Sequence, residues 1–117
     1  MENKSFEDLE LRKFKFAQLV REFIKSLPKT IANIEDIRQL IRSSGSVAAN
    51  YIEANEALSK KDFVMRIKIS RKEAKESRMW LKLIEVADKE QEAERQFLIQ
   101  ESTEFIKIFS SIVSKCS

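Results

Sequence analysis

Lys61, Lys68, Lys75 and Lys82 recur every seven residues, with Lys72 among them and Arg71 and Arg78 alongside, a spacing that gathers cations onto one face of an α-helix. Such a ribbon attracts a phosphate backbone, because each phosphate it neutralises releases condensed counterions. Residues 60–82 set nine Lys and Arg against Asp62, Glu73 and Glu76, a local charge of +6. The following residues 83–104 hold only Lys89 and Arg95 against seven carboxylates, a local charge of −5. The net charge of +3 conceals this split, although it is far from the extreme asymmetry of dedicated nucleic-acid binders. The ordinary alternative is a solvated helix laced with ion pairs to the acidic stretch that follows it.

Other chemistry is sparsely provided for. Zero histidines remove the commonest general base and metal ligand, and there is no phosphate-cradling glycine loop, cysteine cluster or nucleophile elbow. Glu73 and Glu76 are spaced for acid and base roles, yet on a lysine-rich helix they read as ion-pair partners or surface charge. A di-metal carboxylate bundle needs Glu-x-x-His pairs, which this composition forbids. Cys116 is the single cysteine, so no disulfide forms within the chain. The sequence therefore predicts no catalysis, no cofactor, no metal and no small-molecule substrate. No apolar run approaches the ~18 residues of a membrane span, and MENKSFEDLE lacks the features of a secretory leader, so a cytoplasmic location is expected.

The elements that must position the ribbon follow from composition and periodicity. One Gly and one Pro in 117 residues leave little material for sheet turns, which predicts an all-α chain. Helix one is expected over about 6–27, with Ser5 as N-cap, Leu9, Phe16, Val20, Phe23, Ile24 and Leu27 on its apolar face, and Pro28 as its stop. Helix two, about 32–57, places Ile34, Ile37, Ile41, Ser44, Ala48 and Tyr51 on its main stripe and Leu40, Val47 and Ala54 beside it. Ser59 with Asp62 caps helix three, about 60–87, whose stripe is Phe63, Ile67, Ser70, Ala74, Ser77, Leu81 and Ile84. Asp88 with Gln91 caps helix four, about 89–115, whose apolar face runs from Ala93 and Phe97 through Leu98, Phe105, Ile106 and Phe109 to Ile112 and Val113. Long helices on short loops predict one domain over 1–117, an antiparallel up-down-up-down four-helix bundle.

Residues 42–62 hold the most pointed packing signal. Ser43, Ser44, Gly45, Ser46, Ala48 and Ala49 bury little area, so another helix should approach them closely, with Ser44 and Ala48 facing Ser70, Ala74 and Ser77. Gly45 in mid-helix costs about 1 kcal/mol against alanine unless close packing offsets it. Asn50 and Glu53 are three apart on one face and can bond another helix, a neighbouring chain or water. Leu11, Phe14, Ile69 and Ile108 are apolar yet off the assigned stripes, as subunit contacts would be.

Leu27-Pro28, Gln39, Arg42-Ser43-Ser44, Val47, Asn50, Glu53, Ser59, Asp62-Phe63, Ser70, Glu73-Ala74 and Glu76-Ser77 together carry a family resemblance. The chain resembles the four-helix bundle family that includes proteins encoded within intervening sequences of bacterial 23S ribosomal RNA genes. It is also similar to the accessory variability proteins of diversity-generating retroelements. The resemblance implies a cyclic homopentamer and a nucleic-acid association, and marks Arg42, Asn50 and Glu53 as interhelix or intersubunit polar contacts. Where the widespread form of the family reads Asn-Ile-Ala-Glu-Gly, this chain has Asn50, Tyr51, Ile52, Glu53 and Ala54, so helix two is expected to run on. The resulting expectation is a non-catalytic homo-oligomer that binds structured RNA through Lys61, Lys68, Arg71, Lys72, Lys75, Arg78 and Lys82. The alternatives are a protein-interaction adaptor, by analogy for a reverse transcriptase, and third an unrecognised hydrolase.

Overall fold

The structure, a computed structural model, describes residues 6–116. It consists of four helices, α1 (Phe6–Ile24), α2 (Ile31–Asn55), α3 (Lys60–Leu83) and α4 (Lys89–Cys116), with no strand among the described residues. They form a four-helix bundle in which α1 touches α2 and α4, α3 touches α2 and α4, and α1 and α3 do not meet. Partners across each seam run in opposite numerical order: Arg42 meets Glu76 while Asn50 meets Arg66, and Arg78 meets Thr103 while Arg71 meets Ser110. The N-cap expected at Ser5 lies outside the described residues.

The other three helices begin at side-chain caps, of which the one at Thr30 was not expected from the sequence. The Thr30 hydroxyl accepts from the Asn33 amide at 3.1 Å, Ser59 from Asp62 at 3.1 Å, and the Asp88 carboxylate from Gln91 at 2.8 Å. The helix ends fall short of the sequence expectations. α1 stops at Ile24 rather than Leu27, α2 at Asn55 rather than 57, and α3 at Leu83 rather than 87. For α3 the cause is a side chain distant in sequence: Asn33 accepts from the Glu85 amide and donates to the Glu85 and Pro28 carbonyls, each at 2.9 Å. Arg95 also donates to the Ile84 carbonyl. These bonds hold the backbone of residues 84 and 85 extended where local propensity would continue the helix. Gln91 extends the same clamp, accepting from the Ala87 amide and donating to the Ser26 carbonyl.

The core is built around Phe16, Val20, Phe23, Leu40, Val47, Tyr51, Ile67, Ala74, Leu81, Leu98, Phe105 and Phe109. The α3 stripe is as expected, with Ile67, Ser70, Ala74, Ser77, Leu81 and Ile84 buried. On α2 the inward face is shifted: Leu40, Val47 and Ala54 of the adjoining stripe and Ser43 are buried with Ser44 and Tyr51 of the main one, while Ile34 is 45% exposed and Ile41 and Ala48 are half-buried. The hydrogen bonds across the α2–α3 seam accordingly join Ser43 and Val47 to Ser77 and Ser70, with Ser44 buried and Ala48 half-buried. The Ser43 and Ser77 hydroxyls lie 2.8 Å apart, and Ser70 donates to the Val47 carbonyl at 2.9 Å, so side chain meets backbone directly. On α4, Ala93 and Phe97 face outward, and Gln91 and Ser102 take inward positions. Gly45 is also outside the seam, since a Cβ there would meet only the flexible end of Arg21, at 3.9 Å. Ala54, in the position where the family glycine stands, is buried inside the last turn of α2.

Candidate nucleic-acid interface

The bundle presents the outer face of α3 to solvent because Ile67, Ser70, Ala74, Ser77 and Leu81 occupy its inner one. Lys61, Lys68, Lys72, Lys75 and Lys82 are all exposed on that outer face. At 1.5 Å rise per residue, Lys61 to Lys82 spans about 31 Å. None of these five lysines takes part in an ion pair among the described residues. Arg71 and Arg78 stand differently, half-buried at the seam with α4, where they donate to the Ser110 hydroxyl at 3.4 Å and the Thr103 hydroxyl at 3.2 Å. Their guanidinium groups are thereby anchored at the border of the lysine face without losing their charge.

Among the described residues no ion pair joins α3 to α4, and three of the α4 carboxylates find cations elsewhere. Glu101 forms a two-pronged pair with Arg12 of α1, at 2.7 and 2.9 Å, Glu92 pairs with Arg95, and Glu104 pairs with Lys107. Glu73 and Glu76 of α3 are likewise matched, but towards α2, while Asp62 stands exposed at the start of the lysine face. Arg42 reaches Glu73 at 3.4 Å and Glu76 at 3.3 Å, and Glu73 is buried in the seam. Apart from Asp62, the compensating charge therefore lies to either side of the lysine face, leaving the five ammonium groups as a net positive field.

Arg42, Asn50 and Glu53 all join α2 to α3 within the chain. Asn50 donates to the Ser46 carbonyl and hydroxyl and accepts from Arg66 at 3.1 Å, and Arg66 also lies 3.8 Å from Glu53. Of the apolar residues off the stripes, Leu11 and Phe14 are 50% and 54% exposed, whereas Ile69 and Ile108 are half-buried. Leu19 and Phe97 join them on the side away from α3, lining an open groove of about 460 Å³ between α1 and α4 with Glu22, Ala93 and Glu94.

Sequence reasoning passed over the most unusual residue in the bundle. Lys13 is fully buried, its ammonium 4.3 Å from the Tyr51 ring centroid, 4.9 Å from Phe105 and 5.1 Å from Phe109. The signal was present, since Leu9, Lys13, Phe16, Val20 and Phe23 step 4-3-4-3 and place a lysine on the core stripe of α1. Burial pushes the Tyr51 phenol above its ordinary value, so that ring stays neutral and offers its π face to the cation. Lys13 is closed off from solvent and belongs to the framework that holds the site.

Among the described residues, no group of three or more His, Cys, Asp and Glu is placed to hold a metal ion, and no helix is long and apolar enough to cross a membrane. No curated protein matches the chain. The crystal structure of a protein of unknown function from the S23 ribosomal protein family of Bacteroides thetaiotaomicron VPI-5482 superposes with a TM-score of 0.76 at 28% identity, covering 93% of this chain and 97% of that one. A match to the 23S rRNA-intervening sequence protein family extends over residues 8–111, through all four helices and the whole lysine face, and the chain belongs to that family.

Proposed function

We propose that this protein is a non-catalytic, cytoplasmic RNA-associated homo-oligomer whose α3 face neutralises phosphates without reading bases. The observation that carries this reading is the set of five exposed α3 lysines with no ion pair among the described residues, on a face about 31 Å long. Arg71 and Arg78 extend the same field along the α4 seam. The reading includes a single domain of up-down-up-down course, supported by the opposed order of partners across the helix seams. It also includes self-association, supported by the exposed Leu11, Phe14, Leu19 and Phe97 away from α3; the subunit number, five, is what the family resemblance implies. Repetition around a ring would multiply the positive field.

Titration of a fluorescently labelled structured RNA at increasing salt tests the reading. Five lysines meeting phosphates give a slope of log affinity against log salt of about −4.5. No measurable binding at low salt would sink it. A second reading rests on the apolar side chains between the lysines, where Val64, Met65 and Ile69 with Lys61, Lys68, Lys72 and the single carboxylate Asp62 line an open depression of about 560 Å³. That surface suits an acidic amphipathic helix of a partner protein, such as a reverse transcriptase by analogy with the retroelement relatives. A partner recovered after nuclease treatment would favour the adaptor reading.

A further inference from the structure

The lysine face of α3 lacks what an unpaired strand requires. Single strands are held where a groove tracks the backbone and aromatic rings stack on successive bases. The two aromatic side chains of α3, Phe63 and Trp80, are half-buried and packed against the core. The exposed aromatics among the described residues are Phe14 on α1, a helix that does not touch α3, and Phe97, which lines the groove between α4 and α1. Between the lysines stand Met65, Met79 and Leu83, about half exposed and without a π face. Base edges are no better served. Arg71 and Arg78 are tethered to Ser110 and Thr103, and the Asn50 amide is occupied by Ser46 and Arg66.

What remains is a helix face of exposed lysines without an exposed aromatic ring, and its natural complement is a rigid surface with dense phosphates. A duplex offers about twice the axial charge density of one of its strands, and its two backbones flank a groove against which a helix can lie. For RNA, recognition through backbone and shape across the wide minor groove is the mode that needs no base reading.

Resting on the RNA reading above, we propose that the α3 ribbon takes double-helical RNA, held by its phosphates, in preference to unpaired strands. The test compares a mixed-sequence RNA duplex of roughly 16 to 20 base pairs with a polyuridine strand of equal nucleotide length, by fluorescence anisotropy at matched low salt. The duplex is expected to bind about tenfold tighter or more, with the preference abolished in Lys68→Gln/Lys72→Gln/Lys75→Gln, whose neutral surface residues leave the core untouched. Equal or tighter binding of polyuridine overturns this inference and leaves the RNA reading standing. Binding of neither probe overturns both.

Discussion

Lys13→Glu should destabilise the bundle by about 4 kcal/mol or more, a large fraction of the stability of a domain this size. A carboxylate at this fully buried position would face the negative π surfaces of Tyr51, Phe105 and Phe109 that now surround an ammonium. It would also lose the donation from the Lys13 ammonium to the Leu9 carbonyl. Lys13→Ala removes the stem as well as the charge and should cost about 2 to 4 kcal/mol, as deletions of large buried side chains do. Lys13→Met keeps most of the volume, gains favourable sulfur–aromatic contacts and should cost about 1 kcal/mol. Urea unfolding followed by circular dichroism orders the three. A glutamate variant as stable as the methionine variant would show that the rings do not confine the cation.

The second large effect is expected at the α2–α3 seam. Ser77 is fully buried with its hydroxyl 2.8 Å from that of Ser43, two turns of α3 from Ser70, which bonds the α2 backbone at Val47. Leucine at position 77 must push the two helices apart or adopt a strained rotamer, which should cost about 3 kcal/mol. Ser77→Ala should cost only about 1 kcal/mol, because Ser43 keeps the Leu40 carbonyl as a partner at 3.4 Å. The same unfolding measurement applies, and a Ser77→Leu variant no less stable than Ser77→Ala would mean that the seam has room to spare.

Which parts of this were legible beforehand follows from the range of the interactions concerned. The α3 stripe and the caps at Ser59 and Asp88 are local patterns, and they read correctly from spacing alone. The face of α2 did not, because its isoleucines at 34 and 41 outweighed the small Ser43 and the polar Asn33 in hydrophobicity, while packing selected size and hydrogen bonding instead. The end of α3 was illegible for a related reason: the group that extracts residues 84 and 85 from the helix is Asn33, 52 residues from Glu85 in sequence. Gly45 looked like part of the close seam, yet it faces the Arg21 side chain of α1, and nothing among the described residues requires a glycine there. For the candidate site, the periodicity of the lysines was plain, but their lack of partners was not. That depends on Glu101 reaching Arg12, on Glu104 reaching Lys107, and on Glu73 and Glu76 turning to Arg42, which are decided by side-chain placement across two seams and along α4.

The claim that this uncompensated face exists to meet phosphate is tested most directly by charge reversal at its centre. Lys68→Glu/Lys72→Glu/Lys75→Glu replaces three exposed side chains that form no ion pair among the described residues, so helix content and unfolding midpoint should stay close to the parent. Anisotropy of a labelled structured RNA at low salt is expected to show binding by the parent chain and an affinity at least about 100-fold weaker for the triple variant. An equally folded triple variant that binds the same RNA as tightly as the parent would contradict the account.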